Sequence, residues 1–348
     1  MESLKSDVLC TQFNQDGSCF IIITSNGFRI YNTEPYKKSF EKIIPEGVHL
    51  FEMLYRTNIM AIVKNDNKAK VYIIDVNQPK PLIELNIKQD IISMKLRRDK
   101  VAIVCTDKIF LYSMSSFEIL DTLETGENPK GAFGMNQSME NTLIAFPDKK
   151  EGSIILKNYG KDSDILIEAH EKKVENIAIT NDGGFLASAT QNGSVIRIFN
   201  TDNGELLQEL RKGIDKSEIK CISFSYNSRL MASSTNKGVV HVFSLDTAIG
   251  KIEKKREEDI GRQTERPRKG VKNRRSIFNG IPVLFAKDFF NGEFSFAQIK
   301  FKGSDSVCVF GGEFLYIVGT NGKYYKVKVD LTKAGEYKIV QKIHYMKE

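Results

Sequence analysis

Tryptophan is absent from this chain of 348 residues, histidine occurs four times and cysteine five times. The four histidines (His49, His170, His241, His344) stand far apart and lack metal-ligand spacing. Cys10, Cys19, Cys105, Cys221 and Cys308 form no Cys-x-x-Cys pair. An odd, scattered set suits reduced thiols of a cytosolic protein better than a disulfide framework. No run approaches the roughly 18 apolar residues of a membrane span, so any membrane contact is expected to be peripheral. The opening Met-Glu-Ser-Leu-Lys-Ser-Asp does not read as a signal peptide. No glycine-rich phosphate loop or nucleophile elbow stands between a strand and a helix. No enzyme, metal or cofactor is expected, although a site built from distant loops leaves no local trace.

What is present is an ordinary soluble composition, 41% hydrophobic and 27% charged, with a net charge of +7. The length admits one large all-β domain or two smaller ones. The charge is uneven. Residues 262–275, RQTERPRKGVKNRR, hold seven Arg or Lys and one Glu. That asymmetry points to an anionic partner for this run rather than for the whole surface.

Short β-branched and aromatic runs recur, each ending in a polar residue: Phe28–Asn32, Val71–Asp75, Ile109–Ser113, Val195–Asn200 and Val239–Ser244. Asp16-Gly17, Asp182-Gly183, Asn192-Gly193 and Asn321-Gly322 supply tight-turn chemistry for antiparallel hairpins. No long helical periodicity competes. Ala187–Thr190 with Val195–Phe199 is echoed by Ala232–Thr235 with Val239–Phe243. The two units stand about one propeller-blade period apart, roughly 40–45 residues. The expected fold is therefore all-β, a seven-bladed β-propeller of WD40-like type spanning 1–348 as one domain. Cuts are expected near residues 45, 85, 125, 168, 210 and 287. The Gly-His and Trp-Asp marks of WD40 repeats are largely missing. The period is clearest in blades five and six.

Residues 246–286 break the rhythm and are read as an inserted loop in blade six. Its first part is basic: Arg262, Arg266, Arg268, Lys269, Lys272, Arg274 and Arg275. Its second part, 276–285, is apolar and includes Ile277 and Phe278. That run reads either as a membrane wedge or as the last strand of blade six.

Between the two clearest blades lies Leu210-Arg211-Lys212-Gly213. With Phe13–Asp16, Arg29–Pro35, Met53–Asn58, Asn128–Gly131, Ala169-His170 and Lys237-Gly238, it resembles the PROPPIN family of phosphoinositide-binding propellers. The first-blade and Met53–Asn58 segments look closer to the WIPI-type branch, which partners an autophagy lipid-transfer protein. The resemblance implies two shallow headgroup sites on the rim. Site one would comprise His170, Ser188, Thr190, Arg197 and Arg211. Site two would comprise Lys212, Ser233, Ser234, Lys237 and His241. Adjacent strand residues point to opposite sides, so Arg211 and Lys212 can serve different pockets. Hydroxyls and cations both donate to phosphate oxygens. The chain departs from the family at Lys212 (usually Arg), Ile214 (often polar) and Val239 (often Thr). All three changes fall on site two, which is expected to be weaker or differently selective, since lysine lacks the planar fork of arginine. The bland readings are a solvated charged turn at Arg211-Lys212, strand-bridging histidines, and hydroxyls that only satisfy backbone groups.

The resemblance implies binding of phosphatidylinositol 3-phosphate and phosphatidylinositol 3,5-bisphosphate. It also implies recruitment of a protein partner at Asp16 and blades one to three, and a monomer. The location would be cytoplasmic, peripheral on autophagic, endosomal or vacuolar membranes. The rivals are a protein-only propeller scaffold and a nucleic-acid binder using 262–275. No nucleic acid is expected, because the alternating Ser/Thr and His positions around Arg211-Lys212 favour lipid over both rivals.

Overall fold

The computed structural model describes residues 7–161, 163–191, 193–213, 217–260, 292–301, 305–330, 332–333 and 335–347. Its strands form seven sheets, each built on four antiparallel strands and one of them extended by a fifth, parallel strand, and together they make a seven-bladed β-propeller. The middle strands of a blade are buried on both faces, as in Cys19–Thr24 and Leu143–Pro147. These are the near-continuous apolar runs. The outermost strands, such as Ile83–Asn86 and Ser163–Glu168, alternate between exposed and covered residues. Half-covered strands alternate because one face meets the neighbouring blade and the other meets water.

Blades one to five span Val8–Ile43, Val48–Asn86, Ser93–Glu124, Gly134–Glu168 and Val174–Arg211. The first five expected cuts fall between these sheets or within one residue of their ends. The sixth does not. Blade six consists of Ile219–Phe224, Leu230–Thr235, Val239–Ser244 and Ala297–Lys300. Blade seven begins only at Ser306. The cut near 287 therefore belongs after Lys300, and the outer strand of blade six is Ala297–Lys300 rather than 276–285. The register is set by Val239 opposite Lys300 and Val242 opposite Ala297. The charged insertion hid this pairing from a periodicity count.

A second correction concerns helix. The chain leaves blade six into α1, Asp246–Ile260. The Ser244 hydroxyl accepts the Asp246 N–H at 3.1 Å, and Asp246 occupies the first turn, where an acid suits the helix dipole. Ala248, Ile249 and Ile252 pack against blade five, while Lys254 and Glu258 pair across one turn of the outer face. The apolar stripe is short among many charges, so the segment reads as polar loop when periodicity alone is used. No described helix is long and apolar enough to cross a membrane.

The core is a ring of clusters between adjacent blades. Ile21, Phe28 and Ile30 of blade one meet Phe51 and Ile62 of blade two, and Val240 and Val242 of blade six meet Leu315 and Ile317 of blade seven. Blades one and seven are each made from contiguous strands, so the ring closes without strand exchange. Side chains close it. Phe20 stacks on Tyr31 at 5.0 Å and on Tyr324 at 5.3 Å between ring centroids. The Tyr324 hydroxyl donates to the Thr33 carbonyl at 2.9 Å.

Candidate functional site

Two polar rows lie at equivalent registers on blades five and six. In blade five, Ser188 stands opposite Arg197, and Arg197 opposite Glu209. Thr190 and Arg211 lie two residues further along their strands, so all five side chains share one face. That face also carries Leu186 and Phe199, which pack against blade four. Site one therefore sits at the boundary of blades four and five.

His170 enters from the turn after blade four. Its Nε2 lies 2.8 Å from the Ser188 hydroxyl. Its backbone N–H donates to the Gly152 carbonyl at 2.8 Å. Gly152 adopts φ +78°, and a Cβ there would lie 1.8 Å from the His170 carbonyl oxygen, so no other residue fits this turn. Burial pushes the imidazole pKa down to about 4, and the nearby Arg197 charge adds to the effect. His170 is thus neutral at physiological pH and contributes a hydrogen bond rather than a charge. Arg197 is committed structurally. Its Nη1 donates to the Ala169 carbonyl at 2.7 Å and its Nε to Glu209 at 2.8 Å. It holds the His170 turn in place more than it offers a free guanidinium.

Arg211 ends the fourth strand of blade five and is 9% exposed. Its Nη2 lies 3.9 Å from Glu209. Blade five carries a fifth strand, Glu293–Phe294, parallel to its fourth, with Phe294 beside Arg211. The preceding Gly292 lies directly against the Arg211 side chain: a Cβ there would fall 2.4 Å from Nε. Glu293 is held by Gln208 at 2.9 Å and by the Thr247 hydroxyl at 2.7 Å. The residues that follow the insertion thus form one wall of site one.

Lys212 leaves the strand and turns to the other side of blade five. Its ammonium donates to the Ser217 carbonyl at 2.6 Å and lies 3.1 Å from the Ser217 hydroxyl. Burial, helped by the charge of Lys237, brings its pKa down to about 8. In blade six, Ser233 stands opposite His241, and His241 opposite Gln298. The Ser233 hydroxyl is buried with no hydrogen-bond partner among the described residues. His241 Nδ1 lies 3.3 Å from the Ser295 hydroxyl, which also accepts from Gln298 at 3.1 Å. Phe243, two residues beyond His241, packs with blade five, which puts site two at the boundary of blades five and six. Lys237 is exposed on the turn before Val239.

One expected site-two residue is misplaced. Ser234 neighbours Ser233 in the same strand and so faces the opposite way. Its hydroxyl donates to the Ser306 carbonyl of blade seven at 2.5 Å. The sequence reading missed Glu209, Gly292, Ser217, Ser295 and Gln298. Counting back two residues from Arg211 finds Glu209. Ser295 and Gln298 lie beyond the insertion, where no local signal ties them to His241.

Asp16 is exposed in the first turn of blade one and accepts the Ser18 N–H at 3.0 Å. The adjacent Gln15 donates to the Met53 carbonyl at 2.5 Å and the Leu96 carbonyl at 3.1 Å, pinning this turn to blades two and three. Arg262, Arg266, Arg268, Lys269, Lys272, Arg274, Arg275, Ile277 and Phe278 lie outside the described residues, as does Ile214. Among the described residues no group of three or more His, Cys, Asp or Glu gathers to hold a metal.

The PROPPIN family profile matches residues 7–346. Autophagy-related protein 18e of Arabidopsis thaliana is 31% identical over 96% of this chain and 87% of its own length. Two solved structures share the fold. Kluyveromyces lactis Hsv2 superposes with a TM-score of 0.75 at 22% identity, covering 97% of this chain and 99% of that one. The complex of KlAtg21 with the coiled-coil of AgAtg16 gives 0.76 at 21% identity, with the same coverages.

Proposed function

Because the chain belongs to the PROPPIN family of autophagy β-propellers, we propose that it binds phosphatidylinositol 3-phosphate and phosphatidylinositol 3,5-bisphosphate at the two rim sites and brings a protein partner to membranes carrying them. The carrying observation is the repeated polar row: Ser188–Arg197 with His170 on blade five, Ser233–His241 with Lys212 on blade six. Each row is served by one of the two adjacent cations. In site one the direct donors are His170, Ser188, Thr190 and Arg211, with Arg197 fixing the turn. In site two they are Lys212, Lys237, Ser233 and His241. Phosphate oxygens accept charge-assisted hydrogen bonds from such donors. Burial and, second to it, the charge of Lys237 both disfavour the charged form of Lys212. An anion between the two lysines offsets that cost.

The basic run 262–275 adds attraction to an anionic leaflet, worth about 1 kcal/mol per cation near the surface. Two weak sites and this run make one multivalent contact. The Asp16 turn, braced on blades two and three, is the proposed partner side. A solved relative, KlAtg21, is in complex with a coiled-coil, and an autophagy lipid-transfer protein is the partner type the resemblance favours.

Liposome co-flotation tests the reading. Wild type and Arg211→Thr/Lys212→Thr are compared on vesicles with either lipid, or with phosphatidylserine at matched charge. Retention of wild type on the 3-phosphorylated lipids alone, lost in the variant, is expected. Equal retention on all anionic vesicles overturns it and leaves the protein-scaffold reading.

A further inference from the structure

Cys221 and Cys308 belong to neither rim site. Cys221 lies on the first strand of blade six, just past a bulge between Ile219 and Cys221. Cys308 lies on the first strand of blade seven. The Cys221 thiol donates to the Cys308 carbonyl oxygen at 3.3 Å, which sets the two residues side by side across the boundary of blades six and seven. Cys221 is partly exposed, whereas Cys308 is 1% exposed. An accessible thiol backed by a buried one is the arrangement of an oxidisable cysteine with its resolving partner.

We propose that Cys221 and Cys308 form a peroxide-oxidisable pair that closes to a disulfide joining blades six and seven. In the first step the Cys221 thiolate sulfur attacks one oxygen of hydrogen peroxide. The S–O bond forms, the O–O bond breaks, and the departing hydroxide takes a proton to leave as water. In the second step the Cys308 sulfur attacks the Cys221 sulfur. The S–S bond forms, the S–O bond breaks, and the hydroxyl leaves as water with the Cys308 proton. Two electrons pass from the two thiols to the peroxide, which yields two waters. A thiol or dithiol reductant reverses the bond by exchange.

The surroundings favour Cys221 as the attacking sulfur. The neighbouring Cys308 holds the Cys221 pKa below the ordinary thiol value, and the charge of Lys95 acts in the same direction. The thiolate is the reactive form. The other two buried cysteines differ. Cys19 and Cys105 have thiols pushed up by burial, and no cysteine is among the groups acting on either. The two joined strands lie on opposite sides of the insertion, so the bond would close an 87-residue loop containing it. This inference does not depend on lipid binding.

The full-length protein is treated with graded hydrogen peroxide, capped with N-ethylmaleimide, digested without reductant and mapped by mass spectrometry. A Cys221–Cys308 linked peptide is expected at doses that leave Cys19 and Cys105 as capped thiols, and dithiothreitol should remove it. Cys308→Ser should trap the sulfenic acid on Cys221, captured by dimedone. Cys221→Ser should leave Cys308 unoxidised. Absence of the linked peptide overturns the proposal. So does a Cys308→Ser protein, folded by circular dichroism, that gives no dimedone adduct on Cys221.

Discussion

The Lys212 ammonium donates to the Ser217 carbonyl at 2.6 Å in a chain whose other motif cation, Arg211, sits across the strand beside Gly292. Two neighbouring residues thus reach separate environments, and only one of them can titrate near neutrality. Burial and the charge of Lys237 bring Lys212 to about 8, below its usual value. An anion in site two requires the charged amine. Above pH 7.5 a headgroup phosphate monoester is already doubly ionised, so a fall in affinity between pH 7.5 and 9.5 belongs to the protein. Site-two affinity is expected to drop about tenfold over this interval while site one stays flat, because arginine holds its proton throughout. For stability the sign runs the other way. The folded value lies below the unfolded one, so the cost of burying the charge is present below pH 8 and fades between 8 and 10.5. Calorimetric titration with a soluble inositol phosphate checks the binding claim. Lys212→Arg should abolish the pH slope; the same slope in that variant refutes it.

His170 and Ser188 make the matching prediction for site one. The imidazole is neutral at pH 7, with a folded value of about 4 against an ordinary value near 6.5. The unfolded chain therefore takes up the proton first. Stability from the neutral ring is fully present above pH 6.5 and is lost as pH falls toward 4. His170→Gln keeps a donor toward Ser188 and does not titrate. Wild type should lose roughly 2 kcal/mol more than this variant between pH 7 and 4.5. Urea unfolding at the two pH values measures the difference. Headgroup binding at pH 7 should survive in His170→Gln and fall several-fold in His170→Ala.

Blades five and six were legible because their strands repeat, Ala187–Thr190 and Val195–Phe199 against Ala232–Thr235 and Val239–Phe243, with a turn one residue shorter in blade six. Strand alternation then placed Arg211 and Lys212 on different sides. It also contradicted the pairing of Ser233 with Ser234, an error the alternation rule itself exposes. The outer strand of blade six escaped because its pairing depends on residues beyond a long charged insertion. Helix α1 escaped because Ala248, Ile249 and Ile252 are few among charged neighbours. Register across a gap is set by tertiary contact, such as Gln208 and Thr247 gripping Glu293, and no local pattern encodes it.

Gly292 precedes the short strand Glu293–Phe294 that these contacts fix. Its hydrogens lie against the Arg211 side chain, and a methyl group would fall 2.4 Å from Nε. Gly292→Ala must displace either Arg211 or the short strand beside it. Site-one affinity is expected to fall about three- to tenfold, the effect of misplacing one charge-assisted donor worth roughly 1 kcal/mol. Site two, served by Lys212, should be unchanged. The comparison uses Lys212→Thr and Arg211→Thr backgrounds to isolate each site by titration. An equal loss at both sites, or none at site one, would show that the wall formed by residues 292–294 does not position Arg211.

The closure between blades one and seven sets the last prediction. No strand is exchanged there, so side chains hold the ring, and at their centre stand the stack of Phe20, Tyr31 and Tyr324 and the Tyr324 hydroxyl bond to Thr33. Tyr324→Phe keeps the ring and removes the bond, leaving a carbonyl with less to accept; about 1 kcal/mol should be lost. Phe20→Ala removes the ring at the centre of the stack and should cost about 3–5 kcal/mol, the range for a fully buried phenylalanine. If this junction opens first on heating, proteolysis of Phe20→Ala should begin near the two ends of the chain at temperatures where blades three to five stay intact. Cleavage that starts instead in the middle blades would mean that closure is not the weakest interface, and that the aromatic stack holds the ring as firmly as the aliphatic clusters elsewhere.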